Sequence, residues 1–251
     1  MNDIIERIDS ITKISADKLK TIISAPRSVK IELSPRCNFR CGFCSLSSRI
    51  KQPNKDMDFD LFKRITKEML DCGVEEIGVF YIGESFMNVD LLENSIKYLK
   101  DIGCKYVFLT SNGSLAFPNI VERMMKAGLD SLKWSVNSSD ELQFSTIMSV
   151  SPKNFNQTIR NIKEAWRIRN DGLYSTKLYA SSIKYDNNQI NKMEQFLKEN
   201  IIPHVDKHYW LPLYSMASFA TKREEELGYK PTAGNQGRIG ALRDPLPCWS
   251  V

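Results

Sequence analysis

Three cysteines fall close together in this chain: Cys37, Cys41 and Cys44, within the segment Cys-Asn-Phe-Arg-Cys-Gly-Phe-Cys. The other three, Cys72, Cys104 and Cys248, are scattered. Clustered thiols in a chain with no export signal point to metal or redox chemistry before disulfides. Structural zinc takes four Cys or His ligands. No fourth ligand lies nearby, and the histidines are His204 and His208, so a zinc site needs a distant partner. Three thiolates suit a cubane iron–sulfur cluster whose fourth iron stays open to a small molecule. An open position marks a working centre rather than a staple.

The elements that must hold these residues follow a repeating pattern. Residues 3–24 carry Ile4, Ile5, Ile8 and Ile11 at helical spacing, and Pro26 breaks the run. From there the periodicity predicts strands at 29–33, 77–82, 106–110, 131–136, 176–183 and 204–210. It predicts helices at 59–71, 91–102, 120–127, 155–169 and 189–199, with Gly103 and Gly128 placed to end two of them. Alternation of this kind argues for a parallel sheet flanked by helices. Six units are too few for the eight-stranded barrel, and alternation alone does not separate an open doubly wound sheet from a partial barrel. Either way, chemistry is expected at the C-terminal strand ends. A further helix is expected at 216–227, then a Gly- and Pro-rich linker to 247.

Composition excludes several classes. The 251 residues are 42% hydrophobic and 26% charged, ordinary for a globular protein. The net charge of +5 comes from 35 basic and 30 acidic residues that are interspersed rather than blocked. That favours solvated helix faces over a nucleic-acid surface and remains compatible with an anionic substrate. No apolar run approaches the roughly 20 residues of a membrane span, and the N-terminus has no signal-peptide core. A cytoplasmic location with no membrane partner is expected.

The spacing of Cys37, Cys41 and Cys44, just after the first strand of a βα repeat, resembles the radical S-adenosylmethionine (SAM) enzymes. The resemblance spans roughly residues 29–210. It implies an α/β fold, a partial (β/α)6 TIM-like barrel over 27–215. An N-terminal helical leader (1–26) precedes it, and a short irregular tail (216–251) follows. It also implies two cofactors, a [4Fe–4S] cluster on the three cysteines and SAM on its open iron. Reductive cleavage of SAM would give a 5′-deoxyadenosyl radical that abstracts a substrate hydrogen atom. An electron donor such as a flavodoxin or ferredoxin is implied as a partner. The substrate class is open: a peptide, a sugar or another small metabolite.

Further motifs carry over one by one. Phe43 holds the aromatic position beside the last cysteine. Tyr81-Ile-Gly-Glu84 resembles the Gly-Gly-Glu motif, so Gly83 and Glu84 are expected at the methionine ammonium, with Ile82 replacing the first glycine. Thr110-Ser-Asn-Gly113 resembles the segment ending the third strand and offers Asn112. Ser135 and Asn137 end the fourth strand, where the family places polar groups near the ribose and carboxylate. Lys177, Ser182 and Lys184 are weaker candidates for the carboxylate or the substrate. Leu246-Pro-Cys-Trp249 resembles the start of a SPASM or twitch extension, and the sequence stops at Val251, so that extension is expected to be missing or truncated.

Other residues read as structural. Cys72 and Cys104 look like buried small apolar groups. His204 and His208 are expected in one strand, as packing or solvent contacts rather than ligands. Tyr209, Trp210, Tyr214 and Phe219 are read as core before substrate mouth. Two competing functions remain: a non-catalytic iron–sulfur interaction module, and a zinc-stabilised nucleic-acid-binding domain.

Overall fold

The computed structural model describes residues 4–6, 25–184, 187–213 and 228. In chain order the elements are β1 (Ser28–Lys30), α1 (Phe59–Asp71), β2 (Glu76–Gly78), α2 (Val89–Asp101), β3 (Tyr106–Ser111) and α3 (Pro118–Lys126). Then follow β4 (Ser131–Ser135), α4 (Glu141–Met148), α5 (Lys153–Asp171), β5 (Lys177–Lys184), α6 (Asn187–Asn200) and β6 (Lys207–Pro212). Every strand pair is parallel and the sheet order is β1-β2-β3-β4-β5-β6. Parallel neighbours need crossover connections. When strand order equals chain order, those crossovers lie on one face and the sheet curls the other face inward. Among the described residues β1 and β6 stand at opposite ends of the sheet and do not pair with each other, so the barrel is partial.

Alternating side chains give the sheet two faces. Ile77, Val107, Leu109, Leu132, Trp134 and Leu178 turn outward and bury in the helix-covered core. Phe108, Lys133, Tyr179 and Tyr209 have the opposite parity and face the lumen. Helices start where acids or amides cap them: Asp58 accepts from the Leu61 amide, Asn88 from Leu91 and Asp140 from Gln143. Gly103 and Gly128 follow α2 and α3 with φ of +86° and +97°, the left-handed turn that stops a helix.

The structure corrects several expectations. β1 and β2 are three residues each, shorter than the expected 29–33 and 77–82, although the Ile31 and Val79 amides still reach the Gly78 and Phe108 carbonyls of the neighbouring strands. Helix α4 was not expected at all. Cys72 is exposed, since it sits at the C-cap of α1 past the helix's buried face, whereas Cys104 is buried as expected. His204 lies in a 3-10 turn (Ile202–His204) rather than in β6, so it does not share a strand face with His208. Ile4 of the leader is buried against Tyr179 and Tyr209. Residues 1–3 and 7–24 of the leader, the 216–227 helix, the linker beyond Gly228, Tyr214, Phe219 and Cys248 lie outside the described residues. Among the described residues no helix is long and apolar enough to cross a membrane.

Candidate active site

The cysteine loop leaves β1 and has little regular structure of its own, so distant groups fix it. The Gln52 amide takes both main-chain groups of Cys37: the Cys37 N–H donates to Oε1 and Nε2 donates to the Cys37 carbonyl, each at 2.8 Å. Arg40 Nη1 donates to the carbonyls of Cys37 and Phe39 at 2.8 and 2.7 Å. Two loop amides reach the end of α4: Arg40 N–H to the Met148 carbonyl at 3.0 Å, and Gly42 N–H to Ile147 at 2.8 Å. Asn38 donates to Ser114 Oγ and accepts from Asn112 Nδ2, tying the loop to the end of β3. Beneath the loop, Phe39 stands edge-on to Phe144, which meets Phe155 in turn. Gln52→Ala leaves the Cys37 amide and carbonyl without these partners. It is expected to cost about 1–3 kcal/mol, read as a lower urea midpoint.

The second wall is the 81–84 turn. Glu32 Oε1 accepts from the Ile82 and Gly83 amides at 3.0 and 2.7 Å, and the Glu84 amide donates to the Arg36 carbonyl at 2.8 Å. This presses the turn against the cysteine loop. Gly83 is needed for that closeness: a Cβ there would stand 2.0 Å from the Ser34 carbonyl oxygen. Ile82 has room and packs on the loop's apolar cluster. Hence the second glycine position of the motif is demanding and the first is not. Glu84 is buried, and its carboxylate accepts from the Phe86 amide at 3.2 Å, Ser111 Oγ at 3.0 Å and the Asn112 amide at 2.8 Å. Burial still holds its pKa above the usual carboxylate value.

Together these walls frame a cleft whose space, open solvent included, is about 760 Å³. Cys37, Cys41, Cys44, Phe43, Gly83 and Glu84 line it, and so do Asn112, Ser135 and Asn137. The structure thus brings every principal site residue expected from the sequence to one cleft. Asn137 also braces it, accepting from the Ile183 amide at 2.9 Å. The weaker candidates fare differently. Ile183 lines the cleft, so its neighbours Ser182 and Lys184 point the other way. Ser182 Oγ bonds His208 Nε2 at 2.9 Å on the outer face. Lys177 opens β5 at the end of the strand away from the cleft.

The donor chemistry fits an iron–sulfur cluster. The donors are three soft sulfurs, and the Glu84 carboxylate that shares the cleft with them is engaged by the Phe86 amide and by Ser111 and Asn112 at the end of β3. Burial pushes Cys37 up to about 12 and raises Cys41 and Cys44 as well. Thiols held this way stay protonated unless a Lewis acid such as iron binds the thiolate, the proton leaving to water. The Phe39 amide donates to Cys37 Sγ at 3.4 Å, the kind of contact that tunes cluster sulfur. Among the described residues no three His, Cys, Asp or Glu side chains gather as a single ion requires. The three thiols share a wall instead of a point, and neither histidine lines the cleft, which disfavours zinc.

Sequence reading missed Glu32, Asn38, Gln52 and α4. The helix had left a signal: Asp140 followed three residues later by Gln143 is a capping pattern.

Known proteins resemble this chain in sequence and in fold. A 121-residue stretch, 48% of the chain, is 31% identical to the probable GTP 3′,8-cyclase of Methanococcus maripaludis and covers 40% of that protein. The GTP 3′,8-cyclase of Marinobacter nauticus is 27% identical over 173 residues, 68% of this chain and 50% of its own. The chain spans about half the length of these curated relatives. The crystal structure of Streptococcus suis SuiB bound to S-adenosylmethionine superposes with a TM-score of 0.62 at 20% identity, over 82% of this chain and 48% of SuiB. That shows the same fold. Residues 31–175, more than half of the chain, match the model of the Radical SAM superfamily, and the chain belongs to that superfamily.

Proposed function

We propose that Cys37, Cys41 and Cys44 hold a [4Fe–4S] cluster, that SAM binds beside it in the same cleft, and that the protein is a radical SAM enzyme. The carrying observation is that three thiols from one loop, Cys37 buried and Cys41 and Cys44 partly so, face the ends of the neighbouring strands across a single cleft. When bound, the cluster and SAM together supply a 5′-deoxyadenosyl radical for hydrogen-atom abstraction. The chain's own residues bind, orient and exclude water. Glu32 and Gly83 set the 81–84 turn against the cysteine loop. Glu84 Oε2 takes one hydrogen bond from Asn112, and a carboxylate oxygen accepts about two, so one acceptor position is left for the methionine ammonium. Phe43 packs beside the adenine, while Asn112, Ser135 and Asn137 offer polar groups to the ribose and carboxylate.

The substrate is a peptide, a sugar or another small metabolite, the electron comes from a donor such as a flavodoxin or ferredoxin, and the setting is the cytoplasm. Electron paramagnetic resonance tests the site. The reconstituted, dithionite-reduced protein is expected to show a cluster signal whose g values shift on adding SAM. A signal that SAM leaves unchanged would favour the non-catalytic iron–sulfur module.

A further inference from the structure

The charges of this chain are dispersed, but their excess is not. Residues 33–55 hold Arg36, Arg40, Arg49, Lys51 and Lys55 and no acid. Set those five aside and 30 of the 35 basic residues remain, equal in number to the 30 acids. The net charge of +5 therefore sits on the cysteine loop and the strip that follows it.

The fold pins that strip against the loop. Arg49 Nη1 donates to the Pro35 carbonyl at 2.6 Å, the Gln52 amide grips both main-chain groups of Cys37, and Asp56 pairs with Arg36. Asp56, the first acid after the strip, also accepts from Ser34 and Asn88, so its charge is fully engaged. None of residues 47–55 lines the cleft, whereas Cys37 does, so the strip backs Cys37 from outside the cleft. Arg40 and Arg49 point at loop carbonyls, and both favour the Cys44 thiolate. Lys51 and Lys55, on either side of Gln52, are exposed and make no ion pair among the described residues. Ile50, between Arg49 and Lys51, is fully exposed. A lone surface isoleucine is ordinary. An isoleucine set among cations on a pinned strip has the make-up of a docking face, an apolar anchor inside a charged rim.

Electron transfer falls off steeply with distance, so a protein donor must seat close to the cysteines. The cleft side is given to SAM and substrate. The strip is the way in from behind, one hydrogen-bonded contact from Cys37. Redox encounters bury little area and are steered by charge.

We propose that the strip 49–55 docks the electron donor, an acidic one-electron carrier protein, with Lys51 and Lys55 meeting its carboxylates and Ile50 its apolar centre. One electron leaves the carrier and reduces the cluster from its 2+ to its 1+ state, and no atom is transferred. The proposal rests on the radical SAM reading.

The test measures binding of an oxidised, acidic flavodoxin to the cluster-loaded protein by isothermal titration calorimetry, at an ionic strength of about 0.01 M, where charges act over about 30 Å. The parent is expected to bind saturably and to lose affinity steeply as salt is added. The double variant Lys51→Glu/Lys55→Glu should bind at least about tenfold more weakly, and Ile50→Ala about threefold or more. With dithionite, a small reductant that needs no docking, both should form 5′-deoxyadenosine at the parent's rate. With pre-reduced flavodoxin the double variant should be slower by at least about tenfold. No saturable binding by the parent, equal binding by the double variant, or equal losses with both reductants overturns the docking face. A labelled single-stranded RNA whose binding is lost in the double variant, with flavodoxin binding unchanged, would make the strip a nucleic-acid surface instead. No product from the parent with dithionite, while flavodoxin binding still follows the charges, overturns the cofactor reading and not the docking face.

Discussion

Cys41→Ala is expected to remove the iron–sulfur chromophore and to lower SAM cleavage by at least about 100-fold, since even groups behind the ligands cost 10–100-fold in known metal sites. Cys41 sits between Cys37 and Cys44 on the cleft wall, and its thiol adds little to packing because the residue is only partly buried. The variant should therefore fold, with an unchanged far-ultraviolet circular dichroism spectrum. Cys72→Ala and Cys104→Ala are the controls. Cys72 is exposed at the end of α1, and Cys104 Sγ faces the Glu75 and Tyr106 carbonyls away from the cleft. Both variants should keep the full iron content. Iron retained by Cys41→Ala, or lost by either control, would place the cluster on a different set of sulfurs.

Gly83→Ala is the second large effect. The added methyl would stand 2.0 Å from the Ser34 oxygen, 2.9 Å from the Arg36 oxygen and 3.0 Å from the Pro35 carbonyl carbon. All three are main-chain atoms, so no side chain can swing aside. Either the turn or the cysteine loop must move, and the Glu84 amide loses its geometry to the Arg36 carbonyl. Overpacking of this severity costs about 3 kcal/mol or more. For a chain of this size that lowers Tm by roughly 6–12 °C. SAM affinity should fall with it, because both walls of the cleft shift. A Gly83→Ala protein with the parent's Tm and SAM affinity would mean that the two loops do not meet in solution as described. Ile82→Ala is the contrast: its half-buried side chain packs on the cysteine loop's apolar cluster without a main-chain clash, so only that apolar contact is lost.

The parts of this site that were readable share a physical origin. Strand and helix periods are local, and so the alternation from β1 to β6 could be followed before the fold was known. The cysteines and the strand-end polar residues then fell into place, because a parallel barrel sends all C-terminal strand ends to one rim. Glu32, Asn38 and Gln52 were not readable, since each acts through a side-chain contact to a residue far along the chain. Gln52 pairs with the main chain of Cys37 fifteen positions away, and Asn38 with Asn112 and Ser114 across more than seventy. Nothing in the neighbouring sequence encodes such contacts. Cys72 misled for the opposite reason. Its type suggested burial, but its position at a helix C-cap turned it to solvent. Ser182 misled because parity was not applied: beside a cleft-facing Ile183 it can only face outward.

Quantifying 5′-deoxyadenosine tests the central claim most directly. The protein would be reconstituted anaerobically with iron and sulfide, mixed with SAM and dithionite, and analysed by mass spectrometry beside Cys41→Ala. The parent protein is expected to form 5′-deoxyadenosine and methionine in equal amounts, and the variant to stay at background. No product from a parent protein whose cluster is verified by iron and sulfide content would contradict the assignment of this cleft to radical SAM chemistry.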